Sequence, residues 1–220
     1  MVKASMMSSR YRHIIWDWNG TLLDDVDHSL ATTNGLLQEY ALPPLDLQRY
    51  REVFDFPVQD YYRRIGFDLD RQSFHALASS WLDRYMSGSL QLQLRLDARQ
   101  TLAAVAARGL TQSLLSALEQ ERLTDQVQHY ALAEHFIACV GVEDHLGAGK
   151  VERGKRWMAD VEVDPERVLL IGDTTHDLAV AAALGVDCVL VLGGHHSAER
   201  LGASGKAPVM ESLNAVLACL

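Results

Sequence analysis

The chain has 220 residues, 48% hydrophobic and 22% charged, and a formal net charge of −9. This size suits one domain of ordinary core or a core carrying a smaller insert, and the composition excludes a disordered chain. The acidic balance argues against nucleic acid as a main partner, since a phosphate-binding surface wants clustered Lys and Arg; a small phosphate held through a metal ion stays open.

Residues 13–18 (His-Ile-Ile-Trp-Asp-Trp) read as a buried first strand that delivers Asp17 into a turn marked by Asn19-Gly20, with Thr21, Asp24 and Asp25 following. From residue 27 to about 41 the spacing turns helical, with Leu30, Thr33, Leu37 and Tyr40 three or four apart, until Pro43-Pro44 stops it. Short helices are expected over 46–54 and 57–65. A longer one is expected over 70–86, where Phe74, Leu77, Ala78, Trp81, Leu82, Tyr85 and Met86 form an apolar stripe. Residues 24–90 show no convincing strand.

After that, strands and helices alternate. Helix is expected over 98–107, ended by Gly109, then strand over 110–116 and helix over 118–132. A short apolar run at 136–140, helix over 152–161, strand over 168–171, helix over 177–184 capped by Gly185, and strand over 188–192 complete the pattern. Such alternation implies right-handed crossovers and a parallel sheet. The fold class is therefore α/β, a parallel sheet with helices on both faces. Residues 1–23 and 96–220 form this core, and 24–95 form an all-helical insertion.

Ligands in such sheets bind beyond the carboxyl ends of the strands. Asp17, Ser116 and the run Gly172-Asp173-Thr174-Thr175-His176-Asp177 all fall at those ends. A single Asp there reads as readily as a helix N-cap. Asp173 and Asp177, four apart at a strand-to-helix junction, can face one point, and with Asp17 they make an all-oxygen set suited to Mg2+. Three buried acids without a cation would repel one another. Asp17 could then attack phosphorus to give an aspartyl-phosphate, with Ser116 donating to the phosphoryl oxygens and a lysine adding charge. Lys150 is preferred over Lys155 because it follows the small-residue loop Gly147-Ala148-Gly149 and precedes a helix. That loop is no phosphate-binding P-loop, because Asp144 stands at the first glycine position and Val151 replaces Ser/Thr.

The strings D-W-N-G-T-L-L-D at 17–24, L-L-S-A at 114–117, G-K at 149–150 and I-G-D-T-T-H-D at 171–177 resemble the four motifs of the haloacid dehalogenase superfamily. Their order and spacing match across nearly the whole chain, and the branch most similar is the phosphoglycolate phosphatase-like group. The resemblance implies a Rossmann-like core, a helical cap made by the 24–95 insertion, and Mg2+-dependent hydrolysis of a small phosphorylated metabolite. It makes Asp17 nucleophile and metal ligand, and adds the Asn19 backbone carbonyl and Asp173 as ligands. Asp177 would support the metal through water or through Lys150. Ser116 and Lys150 would hold the phosphate, with Gly20, Thr21 and Ala117 beside them.

Asn19 departs from that pattern. The family's phosphatases usually carry there a second Asp that protonates the leaving alcohol and then activates water, and an amide can do neither at neutral pH. Three consequences stand open. The chain is a slow phosphatase, or it acts on a substrate with a good leaving group such as an acyl phosphate or pyrophosphate. Alternatively, it is a weakly active or inactive fold that binds a phosphorylated ligand or a protein partner. Dehalogenation is disfavoured, since it has no need of Asp173 and Asp177 together.

Specificity is expected from the cap, where Arg49, Arg51, Arg63 and Arg64 with Tyr61 and Tyr62 gather charge and aromatic surface. Arg63 or Arg64 could pair with a substrate carboxylate; the alternative is solvated helix faces over packed tyrosines. His195-His196 could line the entrance or be polar surface, and His176 could back the metal site. Cys139, Cys188 and Cys219 are odd in number and isolated, which reads as buried reduced thiols. Residues 1–12 lack the apolar core of a signal peptide, and no run approaches the roughly 18 residues of a bilayer span. A cytoplasmic monomer or homodimer, without membrane contact, is the expectation.

Overall fold

The computed structural model describes residues 10–143, 149–160 and 163–220. Asp144, Gly147, Ala148, Val161 and most of the N-terminal segment, on which expectations above fell, lie outside them.

The core is a six-stranded sheet in the order β5-β4-β1-β6-β7-β8, from β1 (His13–Trp16), β4 (Thr111–Glu119), β5 (Ala138–Val142), β6 (Val168–Gly172), β7 (Asp187–Val191) and β8 (Val209–Met210). Every pairing in it is parallel. The chain order reverses at β1, where β4 lies on one side and β6 on the other, and a ligand crevice belongs at such a switch.

Neighbouring residues of β1 serve opposite faces. Ile14 and Trp16 join a core with Leu102 and Val105 of α5 (Ala98–Ala107) and Leu123 and Val127 of α6 (Gln120–His129). Ile15 joins a second core with Trp157 and Met158 of α7 (Lys150–Asp160) and Val180 and Leu184 of α8 (Thr175–Leu184). Both faces are covered, so the strands read as continuous apolar runs, which is why β1 and β6 stand out in the sequence.

The cap consists of α1 (Val26–Glu39), α2 (Leu47–Val53), α3 (Val58–Arg64) and α4 (Phe74–Ser89) around its own core of Leu36, Leu37, Tyr50, Tyr61, Tyr62 and Leu77. It is not purely helical at its roots. β2 (Leu23–Asp24) and β3 (Gln93–Leu94) pair antiparallel where the chain leaves the core and returns to it. Two-residue strands carry no readable period, so they escape a pattern search.

Two further differences have local causes. The helix expected over 70–86 starts at Phe74, because the Ser73 hydroxyl accepts from the Ala76 N–H and caps it. β4 runs on to Glu119 with a register shift after Leu115, so Ser116 sits in an irregular stretch and not at a clean strand end. The sequence pattern also missed β8, the short α9 (Ala198–Ala203) and a 3-10 turn at Asn214–Cys219. Among the described residues no helix is long and apolar enough to cross a membrane, and the three cysteines are free thiols.

Candidate active site

The turn after β1 is wound tightly. The Trp18 carbonyl accepts from the N–H groups of Thr21, Leu22 and Leu23. Gly20 takes φ +73°, and a Cβ there would stand 2.5 Å from both the Asp173 carboxylate and the His195 ring. Only glycine lets the turn close down on those two residues.

Asp17, Asp173 and Asp177 each offer a carboxylate oxygen within 4.8 Å of the others, and all three are buried. Lys150, 3% exposed at the start of α7, donates to Asp17 Oδ1 at 2.5 Å and to Asp177 Oδ1 at 2.7 Å. Lys155 instead points outward to Glu152. Asp177 is a capping residue as well as a member of the cluster. Its Oδ2 accepts from the Thr174 hydroxyl at 2.7 Å and from the backbone N–H groups of Asp173 and Thr174. Asp173 is held by the Thr21 hydroxyl and the His195 N–H, both at 2.7 Å.

Burial, with the added repulsion of Asp177 and Asp173, pushes the Asp17 carboxyl up to about 8 against the pull of Lys150. Burial and Asp177 raise Asp173 too, although His195 opposes them. At Asp177 burial is outweighed by Lys150 and the Thr174 hydrogen bond, and its pKa falls to about 2. Three carboxylates facing one ammonium leave negative charge uncompensated in a dry site, and the donor set is all oxygen. These residues fit a hard divalent cation.

Beside this cluster lies one that the sequence did not reveal. Asp25, 1% exposed, precedes α1 but caps none of its backbone N–H groups with its side chain, which accepts from the Ser29 hydroxyl at 3.3 Å. It accepts from the Gly20 N–H at 2.7 Å, the Asn19 amide at 2.9 Å and the Tyr85 hydroxyl at 2.8 Å. It also meets His195 Nε2 at 3.2 Å, and Tyr50 OH lies 2.8 Å from the other ring nitrogen. Burial would lower the His195 pKa, but Asp25 first, then Asp173 and Asp17, hold it up at about 9. Burial would raise Asp25, and His195 with the Asn19 and Tyr85 hydrogen bonds brings it below the usual carboxylate range. The Asn19 amide also donates to Tyr85 OH at 2.8 Å, so its side chain is committed to the cap base.

A cavity of about 150 Å3 joins Asp17, Asn19, Ser116, Ala117 and Lys150 on the core side to an aromatic wall on the cap side. Gly20 and Thr21 do not line it, and their donors go to Asp25 and Asp173. The Ser116 hydroxyl accepts from the Leu118 N–H at 3.0 Å, which leaves its own proton to give.

Arg63 and Arg64 stand apart from the cavity. Arg63 pairs with Asp60 and Arg64 with Asp55 on the cap surface, both side chains about half exposed. The solvated-face alternative describes them, with Tyr61 and Tyr62 buried beneath. His195 and His196 are buried rather than surface residues, at 5% and 1% exposure. His196 bridges the Thr175 N–H and the Phe54 carbonyl. Arg51 donates to the carbonyls of Gly193 and Gly194, and Arg200 to that of Phe54, so the 193–200 segment is fastened to the cap. His176 stacks on Phe56 at 4.3 Å. Asp25, Tyr50 and Arg95, which donates to the Gly20 and Leu192 carbonyls, carried no spacing signal, and Tyr85 stood out only as part of the apolar stripe of its helix. The one available clue was an acid at the mouth of the insertion.

A parallel sheet with a capped acid cluster at its switch point defines a hydrolase core with a lid of its own chain. The chain belongs to the haloacid dehalogenase-like hydrolase family, whose sequence model matches residues 14–191. It is 27% identical over 197 residues to the N-acetylmuramic acid 6-phosphate phosphatase of Pseudomonas aeruginosa, covering 86% of this chain and 85% of that one. It is 21% identical over 216 residues to phosphoglycolate phosphatase 1 of the same organism, covering 94% and 79%. A haloacid dehalogenase-like family hydrolase from Streptococcus pneumoniae shares the fold at a TM-score of 0.81 and 16% identity, covering 95% and 98%.

Proposed function

We propose that the protein is a Mg2+-dependent phosphatase that hydrolyses a small phosphate monoester through an aspartyl-phosphate on Asp17. The observation that carries this reading is a buried carboxylate at the end of β1, bonded to Lys150, flanked by two further carboxylates and lining a cavity between core and cap. Its kinship with proteins named as phosphatases supports the same reading.

Asp17, Asp173 and the Asn19 backbone carbonyl would hold the ion, with Asp177 acting through Lys150. Mg2+ when bound supplies positive charge that offsets the carboxylates and neutralises the phosphoryl oxygens. Lys150 engages Asp17 Oδ1, which leaves Oδ2 for attack on phosphorus as the ester P–O bond breaks. Ser116 donates its proton to a phosphoryl oxygen, and the Lys150 charge steadies the transferring group. Water then adds to phosphorus, releasing inorganic phosphate and restoring the Asp17 carboxylate.

The leaving oxygen receives no proton from residue 19, because the Asn19 amide is a donor already bound to Asp25 and Tyr85. That observation favours a second reading, a phosphoryl-ligand binder with slow turnover. Hydrolysis of an aryl phosphate with Mg2+ and with EDTA separates the two. We expect turnover that EDTA abolishes; absence of turnover on aryl and acyl phosphates alike would leave the binder.

A further inference from the structure

The phosphatase reading leaves the alcohol part of the substrate unnamed, and the cap side of the cavity speaks to it. The cap from 24 to 95 contains no lysine, and each of its arginines is engaged elsewhere. Arg49, Arg63, Arg64, Arg71 and Arg84 pair with surface acids, while Arg51 and Arg95 bind backbone carbonyls of the core. Among the described residues, Lys150 is therefore the one lysine or arginine lining the cavity, and it belongs to the phosphate end. A second anion on the substrate would meet Asp25 and Glu119 on the wall and no cation from the cap, and the charge on His195 beside them is already held by Asp25 at 3.2 Å.

What the cap offers instead is aromatic and aliphatic surface. Phe54, Phe56, Tyr61, Trp81, Val58 and Leu82 face the space. Tyr61 is 2% exposed, and its ring packs edge-on against Tyr50 and Phe54 in that wall. About 150 Å3 is the scale of a cavity that takes one benzene-sized ring.

We propose that the substrate is an aryl phosphate, a phosphate ester of a single-ring aromatic alcohol carrying no second anionic group. This rests on the phosphatase reading for its chemistry but on the cap alone for its selectivity. It also accounts for Asn19. When the phosphoryl group passes to Asp17, the P–O bond breaks toward a phenolate, which is stable enough to depart unprotonated and takes its proton from water. An alkoxide is not, so the missing acid matters least for the class of alcohol that the cap accommodates.

Binding and turnover are measured apart. Calorimetry in Mg2+ with benzylphosphonate and phosphonoacetate, neither of which is hydrolysed, reads the cap. We expect benzylphosphonate to bind roughly 10–100-fold tighter, the effect of burying one ring. Equal affinity, tighter phosphonoacetate or no binding by either overturns the aromatic assignment. Val58→Arg, a change at a half-buried wall position, should bring the ratio down to about 3-fold or less; an unchanged ratio places the ligand elsewhere and also overturns it. Hydrolysis of phenyl phosphate is scored separately. Preferential benzylphosphonate binding without Mg2+-dependent turnover sinks the phosphatase reading and leaves the aromatic selectivity standing.

Discussion

Two buried carboxylate clusters lie side by side at the carboxyl edge of the sheet, and they are built on opposite principles. Around Asp25 every demand is met, with donors from Gly20, Asn19, Tyr85 and His195 and a carboxyl held below its ordinary range. Around Asp17 carboxylates outnumber cations, and its carboxyl is driven up to about 8. The satisfied cluster ties the cap root to the core. The unsatisfied one keeps negative charge uncompensated in a dry site, so the second is where chemistry belongs.

Removing the central acid of each cluster separates them most sharply. Asp17→Asn should abolish phosphatase turnover, by roughly 10⁴-fold or more in kcat, while the melting temperature of the metal-free protein holds or rises, because an uncompensated buried charge disappears. Asp25→Ala should do the reverse to stability. Stranding buried His195, Tyr85 and Asn19 costs about 3–5 kcal/mol, a fall in Tm of about 10 °C for a chain of this length. Thermal melts of both variants decide; a destabilised Asp17→Asn would refute the contrast.

Mg2+ should raise the wild-type Tm, by the equivalent of about 2.7 kcal/mol at a concentration 100 times its Kd. Asp173→Asn should remove most of that gain. An undiminished gain would locate the ion elsewhere.

The pH dependence distinguishes the clusters again. Asp17 in the metal-free fold has a raised pKa, so its contribution is complete below its unfolded value near 4 and is lost as pH rises through about 8. His195 is raised likewise, contributing fully below about 6.5 and losing that contribution as pH passes about 9. Asp25, being lowered, contributes above its unfolded value near 4 and loses that contribution only in acid. Metal-free protein should therefore lose stability from pH 5 to 9. Asp17→Asn should flatten the lower part of that slope and His195→Gln the upper part, as read by urea unfolding across the range.

Asn19→Asp tests the border between the clusters. The new carboxyl would lie against Asp25, so one of the two must hold a proton. A proton held there can serve the leaving oxygen, and the rate on alkyl phosphates should rise more than on aryl ones, in a comparison of kcat/KM. Equal changes would mean that residue 19 does not face that oxygen. The smallest effect should follow Arg63→Ala or Arg64→Ala. Exposed ion pairs are worth about 0–1 kcal/mol, and KM should be unmoved.

The sequence made the core legible where physics is local. Val168–Gly172 is apolar because both faces of the sheet are covered, and the polar run after it announces the site. Asp17, Asp173 and Lys150 followed from strand ends and a loop. The Asp25 cluster did not, because its partners are 60 and 170 residues distant and hydrogen bonds between distant side chains leave no period behind. Arg63 and Arg64 were misplaced for a related reason, since charge density in a sequence says nothing of which way a helix turns.

The cap is tethered to the core by Arg51 and Arg200 holding backbone carbonyls of Gly193, Gly194 and Phe54. A carbonyl is present whatever side chain its residue carries, so drift at those three positions leaves the fastening chemically intact. Arg51 and Arg200 thus share the fastening with the His195 and His196 contacts, but theirs is the part that does not depend on the identity of the residue held.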